Sequence, residues 1–441
     1  MLAFGCPPQV LQVRVRSTSP PLVIRTTALR RPQQRWDSAF QQGSSISMRF
    51  IHTADWQLGK PYARVSDPDK RALLRQERLA AISRIGVVAR QQGAAFILVA
   101  GDLFDSHQPT RADVSAACSA IGAIELPVIA IPGNHDHGGG GSLWQESYFL
   151  EECQQLAPNL TALLQREPFE LRGVGLPGGV LLPCPLLRKA EPVDPTAWLR
   201  QLDFTPWAEQ PRIVLAHGSI QGFGGEDSGD IDDENPPLPT NRIDLSALPA
   251  GELDYVALGD WHGLKQVGSR AWYSGCHEMD RFPRASDYRS GQVLMVQASR
   301  GVMPEVFPVA TGGIQWHQLQ HRFNSDADLE RLEQLLRDLI GARSNQDLLL
   351  LELDGSLSLA AAARLQELLE RLEARLLRLK RRDRTRVAPD TAELRQLTER
   401  ASDPLVARVA RRLQDLVEQG EEQGELARMG LRELHRACVS R

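Results

Sequence analysis

The sequence predicts an α/β fold on two observations. Five short apolar runs each stop on a polar side chain able to bind a metal, and helix-periodic segments lie between the early runs. The runs are Phe50-Ile51-His52-Thr53-Ala54 into Asp55, Phe96 to Ala100 into Gly101-Asp102, and Pro127 to Ile131 into Pro-Gly-Asn134-His135-Asp136-His137. Ile213 to Ala216 leads into His217, and Tyr255 to Leu258 into Gly259-Asp260-Trp261-His262. Their β-branched content and closing Gly or Pro favour strands over buried helix. In layered α/β sheets, ligands gather where strands finish.

The elements follow in order. Leu73, Leu74, Leu79, Ile82, Ile85 and Val88 recur at helical spacing and predict a helix from about residue 69 to 92, with Gly93 just past its end. It leads back to the strand at Phe96. Thr110, followed three residues later by Asp113, predicts a capped second helix running to about residue 123. Strand, helix, strand order implies parallel neighbours joined by crossovers. Residues 224–239 read as an acidic, Gly/Pro-rich solvated loop lying away from any polyanionic substrate.

From about Trp316 the composition shifts to Leu, Glu and Arg. Leu348 to Leu353 predicts a strand, and Leu365, Leu368, Leu369, Leu372, Leu376 and Leu379 an amphipathic helix. A basic run with Arg381, Arg382 and Arg384 follows. It is either a solvated helix end or a contact for phosphates. Two or three more helices are expected after Pro389, with Leu413, Leu416 and Val417 as apolar positions.

Residues 1–47 differ from the rest: they contain no Lys and one acidic residue, Asp37, and they carry no core periodicity. The stretch is expected to be disordered, either as an organellar transit peptide or, the reading favoured, as sequence upstream of a true start at Met48. The chain has 441 residues and a formal net charge of −4. It is long enough for two or three domains, and it is not basic overall, so phosphate binding must be local. No apolar run reaches the length of a membrane span. Six scattered cysteines at 6, 118, 153, 184, 276 and 438 form no short-spaced pair, which points to reduced thiols and a cytoplasmic location.

Asp55, Asp102, Asn134, His217, Asp260 and His262 make an oxygen and imidazole set that suits Mn, Fe or Zn. At these residues the chain resembles the calcineurin-like metallophosphoesterases, and more closely the SbcD-type DNA repair exonuclease subunits. The resemblance covers roughly residues 48–300. It rests on His52-Thr-Ala-Asp55-Trp-Gln57-Leu-Gly59, Gly101-Asp102-Leu-Phe-Asp105, Gly133-Asn134-His135-Asp136, Ala216-His217-Gly218 and Gly259-Asp260-Trp261-His262-Gly263. Two positions depart: Gln57 and Asp260 stand where the family pattern has histidines.

The resemblance implies a four-layer β-sandwich flanked by helices at 48–315, a small α/β capping-like domain at 316–387 and a helical segment at 388–441. It also implies two divalent ions, with Asp102 bridging, Asp55, Gln57 and His262 around one, and Asn134, His217 and Asp260 around the other. Oxygen-rich donors tilt the expected ion to Mn2+, with Mg2+ next. His135 is expected to act as general acid, oriented by Asp136. His52, His107, His137 and His277 read on type alone as structural or rim residues. The segment Tyr273-Ser274-Gly275-Cys276-His277-Glu278 is expected to form a substrate-facing loop that would bring His277 to the substrate.

The implied activity is two-metal phosphodiester hydrolysis, expected to be that of a DNA exonuclease in repair. The alternatives are a phosphodiesterase or phosphatase for small substrates, and a non-catalytic subunit that binds DNA ends or an ATPase. Expected partners are DNA, a coiled-coil ATPase subunit of the SbcC type and a second copy of the chain, with no membrane.

Overall fold

A computed structural model of the chain describes residues 12–14, 46–176, 178–220, 240–282, 288–387, 391–419 and 422–439. The acidic loop expected at 224–239 and nearly all of the expected leader lie outside the described residues. The chain divides into two compact units. Among the described residues, one takes in 46–61 and 75–313 and the other 12–14, 62–74 and 314–439.

The first unit is built on two six-stranded sheets. One runs Glu305–Ala310, Gln292–Ser299, Ser47–Thr53, Phe96–Ala100, Val128–Ile131, Leu160–Ala162. The other runs Lys265–Gln266, Ala271–Tyr273, Tyr255–Gly259, Arg212–His217, Val180–Cys184, Phe169–Glu170. The central strands are parallel, as the crossover order requires. Successive residues of a strand face opposite sides of its sheet, and here both sides are buried. Phe50, Leu98 and Ile129 pack against Leu181, Ile213, Leu215 and Tyr255 of the facing sheet. Ile51, Ile97, Val99 and Val128 face Ile82, Ile85, Val114 and Ile121 of the helices. Behind the second sheet, Val214, Val256 and Leu258 meet Leu199, Trp207 and Leu248. These are the four layers expected, the last of them made of short turns.

The two early helices form as Pro68–Gln92 and Arg111–Gly122. Gly93 follows the first with φ +66, a left-handed conformation that glycine adopts without cost. The Thr110 hydroxyl accepts the Asp113 N–H, which meets one of the unpaired donors at the helix start.

The second unit has parallel strands Gln12–Arg14, Gln315–Phe323, Asp347–Leu357 and Arg378–Asp383. Helices Ala327–Ile340 and Leu359–Arg375 cover the sheet through Leu329, Leu332, Leu336, Leu365, Leu369 and Leu372. The second helix stops earlier than its leucine spacing predicts. Leu376 closes it, and Leu379 lies in the next strand, where pairing with Asp347–Leu357 overrides local helix preference. Three further helices follow: Thr391–Thr398, Pro404–Gln419 and Glu422–Val439. No helix among the described residues is long and apolar enough to cross a membrane.

Candidate metal centre

The strand ends of the first unit converge. Asp55 leaves Ser47–Thr53, Asp102 leaves Phe96–Ala100, His217 ends Arg212–His217, and Asp260 follows Tyr255–Gly259. The turns that aim these side chains are strained. Among the described residues, eight non-glycine residues have positive φ, and Asp55, Gln57, Asp102 and Asp260 are four of them. Such conformations cost roughly 1–3 kcal/mol each and persist where the surroundings impose them, often at functional sites. Backbone bonds impose them here: the Asp55 N–H donates to Gly101 O at 3.1 Å and the Gln57 N–H to Asp102 O at 2.8 Å. Space is equally tight. A Cβ at Gly133 would come within 2.1 Å of Asp102 Oδ1, so a side chain there would displace the carboxylate.

His217 is fixed by its Nδ1, 2.8 Å from Ala100 O, which turns Nε2 inward. Nε2 lies 2.8 Å from Asn134 Oδ1, 3.6 Å from Asp102 Oδ1 and 3.8 Å from Asp260 Oδ1. Asp55, Asp102 and His217 are all buried, and their donor atoms lie within 4.8 Å of one another. Burial drives the Asp55 carboxyl up to about 8, helped by the charges of Asp102 and Asp260 and opposed by His217. Burial would lower His217, but Asp102, Asp55 and Asp260 outweigh it and hold the imidazole up at about 9. Burial likewise raises Asp102, yet His217 and His135 carry it below the ordinary carboxylate range. Three crowded carboxyls and an amide oxygen therefore draw positive charge to one point. That donor set fits a divalent cation.

On the other side of Asp102, His262 Nε2 lies 3.9 Å from Asp55 Oδ1, and its Nδ1 lies 2.8 Å from Asp280 Oδ2. Burial, and then the Arg281 guanidinium, push His262 down to about 3, so the ring is neutral, with Nδ1 facing both Asp280 Oδ2 and Arg281 Nη2. Asp55, His262 and Cys276 form a second group of converging donors. The sequence reading passed over Cys276 as a ligand, and Asp280 and Arg281 altogether. Their only sequence signal is that they follow the last ligand-bearing strand; the isolated pairing of Ala54 with Cys276 and the Cys276 N–H bond to His262 O bring the thiol beside Asp55.

His135 sits at the rim, its side chain 39% exposed, with Nδ1 2.8 Å from Asp105 O and Nε2 3.9 Å from Asp102 Oδ2. Asp136, expected to orient it, is buried and bonded elsewhere. Its Oδ1 accepts the Gly133 N–H at 2.7 Å and its Oδ2 the Phe104 N–H at 3.1 Å, which ties two ligand-bearing loops together. Nor does the Tyr273 to Glu278 segment face substrate: Tyr273, Ser274, Cys276, His277 and Glu278 are all buried. His277 Nε2 bonds to Arg78 O at 2.9 Å, so its ring is packed inside the protein. Arg381, Arg382 and Arg384 lie in the second unit and are exposed; Arg381 and Arg382 belong to a strand, not a helix end, and Arg382 pairs with Glu352 at 3.0 Å.

Fold and site together present a cluster of donors that could hold a metal ion at the ends of the strands. Residues 48–264 match the family model described as calcineurin-like phosphoesterase. Solved structures similar to the chain include TT1561 of Thermus thermophilus, with 13% identity over 60% of this chain and 99% of that one, at a TM-score of 0.36. A dimetal phosphatase from Danio rerio is also similar, with 12% identity over 59% of this chain and 98% of that one, at a TM-score of 0.31.

Proposed function

We propose that the chain is a phosphodiester hydrolase that degrades DNA as an exonuclease in repair. The observation that carries the reading is the convergence of Asp102, Asn134 and His217, with the exposed imidazole of His135 beside them. A divalent ion at this cluster supplies Lewis-acid polarisation of a phosphoryl oxygen and acidifies water near neutral pH. Asp102, Asn134, His217 and Asp260 would hold it. Oxygen donors outnumber imidazole in that set, which favours Mn2+, with Mg2+ second.

The remaining chemistry belongs to the protein. The leaving oxygen of a DNA diester is a poor leaving group and needs a proton. His135 anchors its Nδ1–H on Asp105 O, so as the imidazolium it gives up the proton on Nε2, at the open side of the cluster. The buried shell of Asp136, Trp144 and Phe104 behind that loop keeps its position fixed. Exposed Arg381 and Arg384 support phosphate contact by the second unit. Exposed Leu405, Val409, Leu426 and Met429 on the last two helices support a protein partner, for which we propose a coiled-coil ATPase or a second copy of the chain.

The test is a gel of end-labelled linear DNA incubated with the purified chain and Mn2+, with an EDTA control. Progressive shortening that EDTA abolishes is the expected result. Turnover of small diesters with DNA left intact would replace this reading by a small-substrate phosphodiesterase. DNA binding without hydrolysis of any ester would make the chain a non-catalytic subunit.

A further inference from the structure

The two halves of the metal centre differ in what their lone pairs face. Around His217 an imidazole nitrogen, the Asn134 amide oxygen and the Asp102 and Asp260 carboxylates face one another, with no amide NH2 or ammonium among them. Around Gln57 and His262 the lone pairs already meet protons. Lys60 Nζ lies 2.6 Å from Gln57 Oε1. An ammonium has only protons to offer, so the atom facing it must be the carboxamide oxygen, and the amide NH2 is turned the opposite way. There Nε2 lies 3.4 Å from Asp102 Oδ2 and 3.4 Å from His262 Nε2. An amide NH2 donates and has no lone pair for a metal. Its two protons are directed at the carboxylate oxygen and the imidazole nitrogen that a second ion would need.

Lys60 is held in this role. Besides Gln57, its ammonium lies 3.3 Å from Asp105 Oδ1 and 3.5 Å from Asp280 Oδ2, and its side chain is only 21% exposed. Asp280 in turn fixes His262 through Nδ1. The result is a closed chain of contacts from Asp105 and Asp280 through Lys60 and Gln57 to Asp102 and His262. A fixed positive charge stands one amide away from the carboxylate expected to bridge two ions.

We infer that the centre takes up one divalent ion, in the half formed by Asp102, Asn134, His217 and Asp260, and that Lys60, acting through the Gln57 carboxamide, closes the other half to a second. This rests on the metal-dependent reading above and replaces the expectation of two ions. For a second ion to settle on Asp55, His262 and Cys276, the Gln57 NH2 would have to swing out and the buried thiol would have to lose its proton. A soft ion favours that loss more than Mn2+ does.

The test counts ions. The full chain is stripped with EDTA, brought to equilibrium by dialysis with saturating Mn2+ or Zn2+, and assayed for bound metal, with electron paramagnetic resonance on the Mn2+ sample. One ion per chain with either metal, and the spectrum of an isolated Mn2+, is expected. A Gln57→His, Lys60→Ala double variant, which restores a lone pair and removes the ammonium, should bind two, with an exchange-coupled spectrum. Two ions in the natural chain, with either metal, would overturn the inference and leave the metal-dependent reading standing. If only Zn2+ gives the second ion and Cys276→Ala removes it, the thiol group is its site. A double variant that melts like the natural chain yet still binds one ion would equally overturn it. No bound ion at all in the natural chain would overturn both. The natural-chain count decides the matter even if the double variant fails to fold.

Discussion

His135 Nδ1 lies 2.8 Å from the carbonyl oxygen of Asp105, and the same ring presents Nε2 to Asp102 Oδ2 at 3.9 Å. A carbonyl can only accept, so Nδ1 donates and keeps its proton, and Nε2 is the atom through which the ring, as the imidazolium, gives one up. His135→Gln should leave metal binding intact and slow hydrolysis of DNA by ~10²–10⁴. A nitrophenyl diester, whose leaving group needs no proton, should lose far less. Equal losses on both substrates would remove His135 from proton transfer.

The ligand-bearing strands were legible because each is a short apolar run broken by a polar residue, and both faces of each sheet are buried. The helix cap at Thr110 was legible because it is local. What escaped was set by convergence of distant segments. Lys60 and Asp280 meet across 220 positions of sequence, and Cys276 reaches Asp55 through one isolated bridge and its N–H bond to His262 O. The leucines at 376 and 379 misled because helical spacing does not reveal the sheet edge that captures them. The Tyr273 to Glu278 segment was misjudged for a related reason: its polar residues are buried with partners on other segments, as His277 is with Arg78 and Glu278 with Arg84.

His52 is fully buried, with Nδ1 2.9 Å from the Tyr255 hydroxyl and Nε2 3.2 Å from Leu258 O. Burial pushes it from 6.5 down to about 3, against the pull of the Leu258 carbonyl. Between those values the unfolded chain binds the proton and the folded chain does not, so stability falls as pH falls below 6.5. From pH 7 to pH 5 this group should remove about 2 kcal/mol. His52→Gln, which cannot titrate, should show a correspondingly smaller loss in urea unfolding over that range. The same pH dependence in both proteins would contradict the assignment.

The Thr110 hydroxyl accepts the Asp113 N–H at 3.1 Å and donates to Asp113 Oδ2 at 2.6 Å. Thr110→Ala should lower stability by about 1 kcal/mol, whereas Thr110→Ser should keep most of it. Denaturation midpoints check both, and equal losses would mean that the methyl group, and not the cap, is what counts.

Asp102 joins the two halves of the centre: its Oδ1 accepts the His135 backbone N–H at 2.9 Å, its Oδ2 faces Gln57, and His217 Nε2 lies 3.6 Å away. The most direct measurement is the rate of nitrophenyl diester hydrolysis by the EDTA-stripped chain before and after Mn2+ is restored, alongside Asp102→Asn carried through the same steps. The natural chain should lose activity with EDTA and regain it with Mn2+, and the variant should regain none. Hydrolysis that persists in EDTA, or an Asp102→Asn chain that recovers fully, would contradict a phosphoesterase whose chemistry depends on a cation held at Asp102.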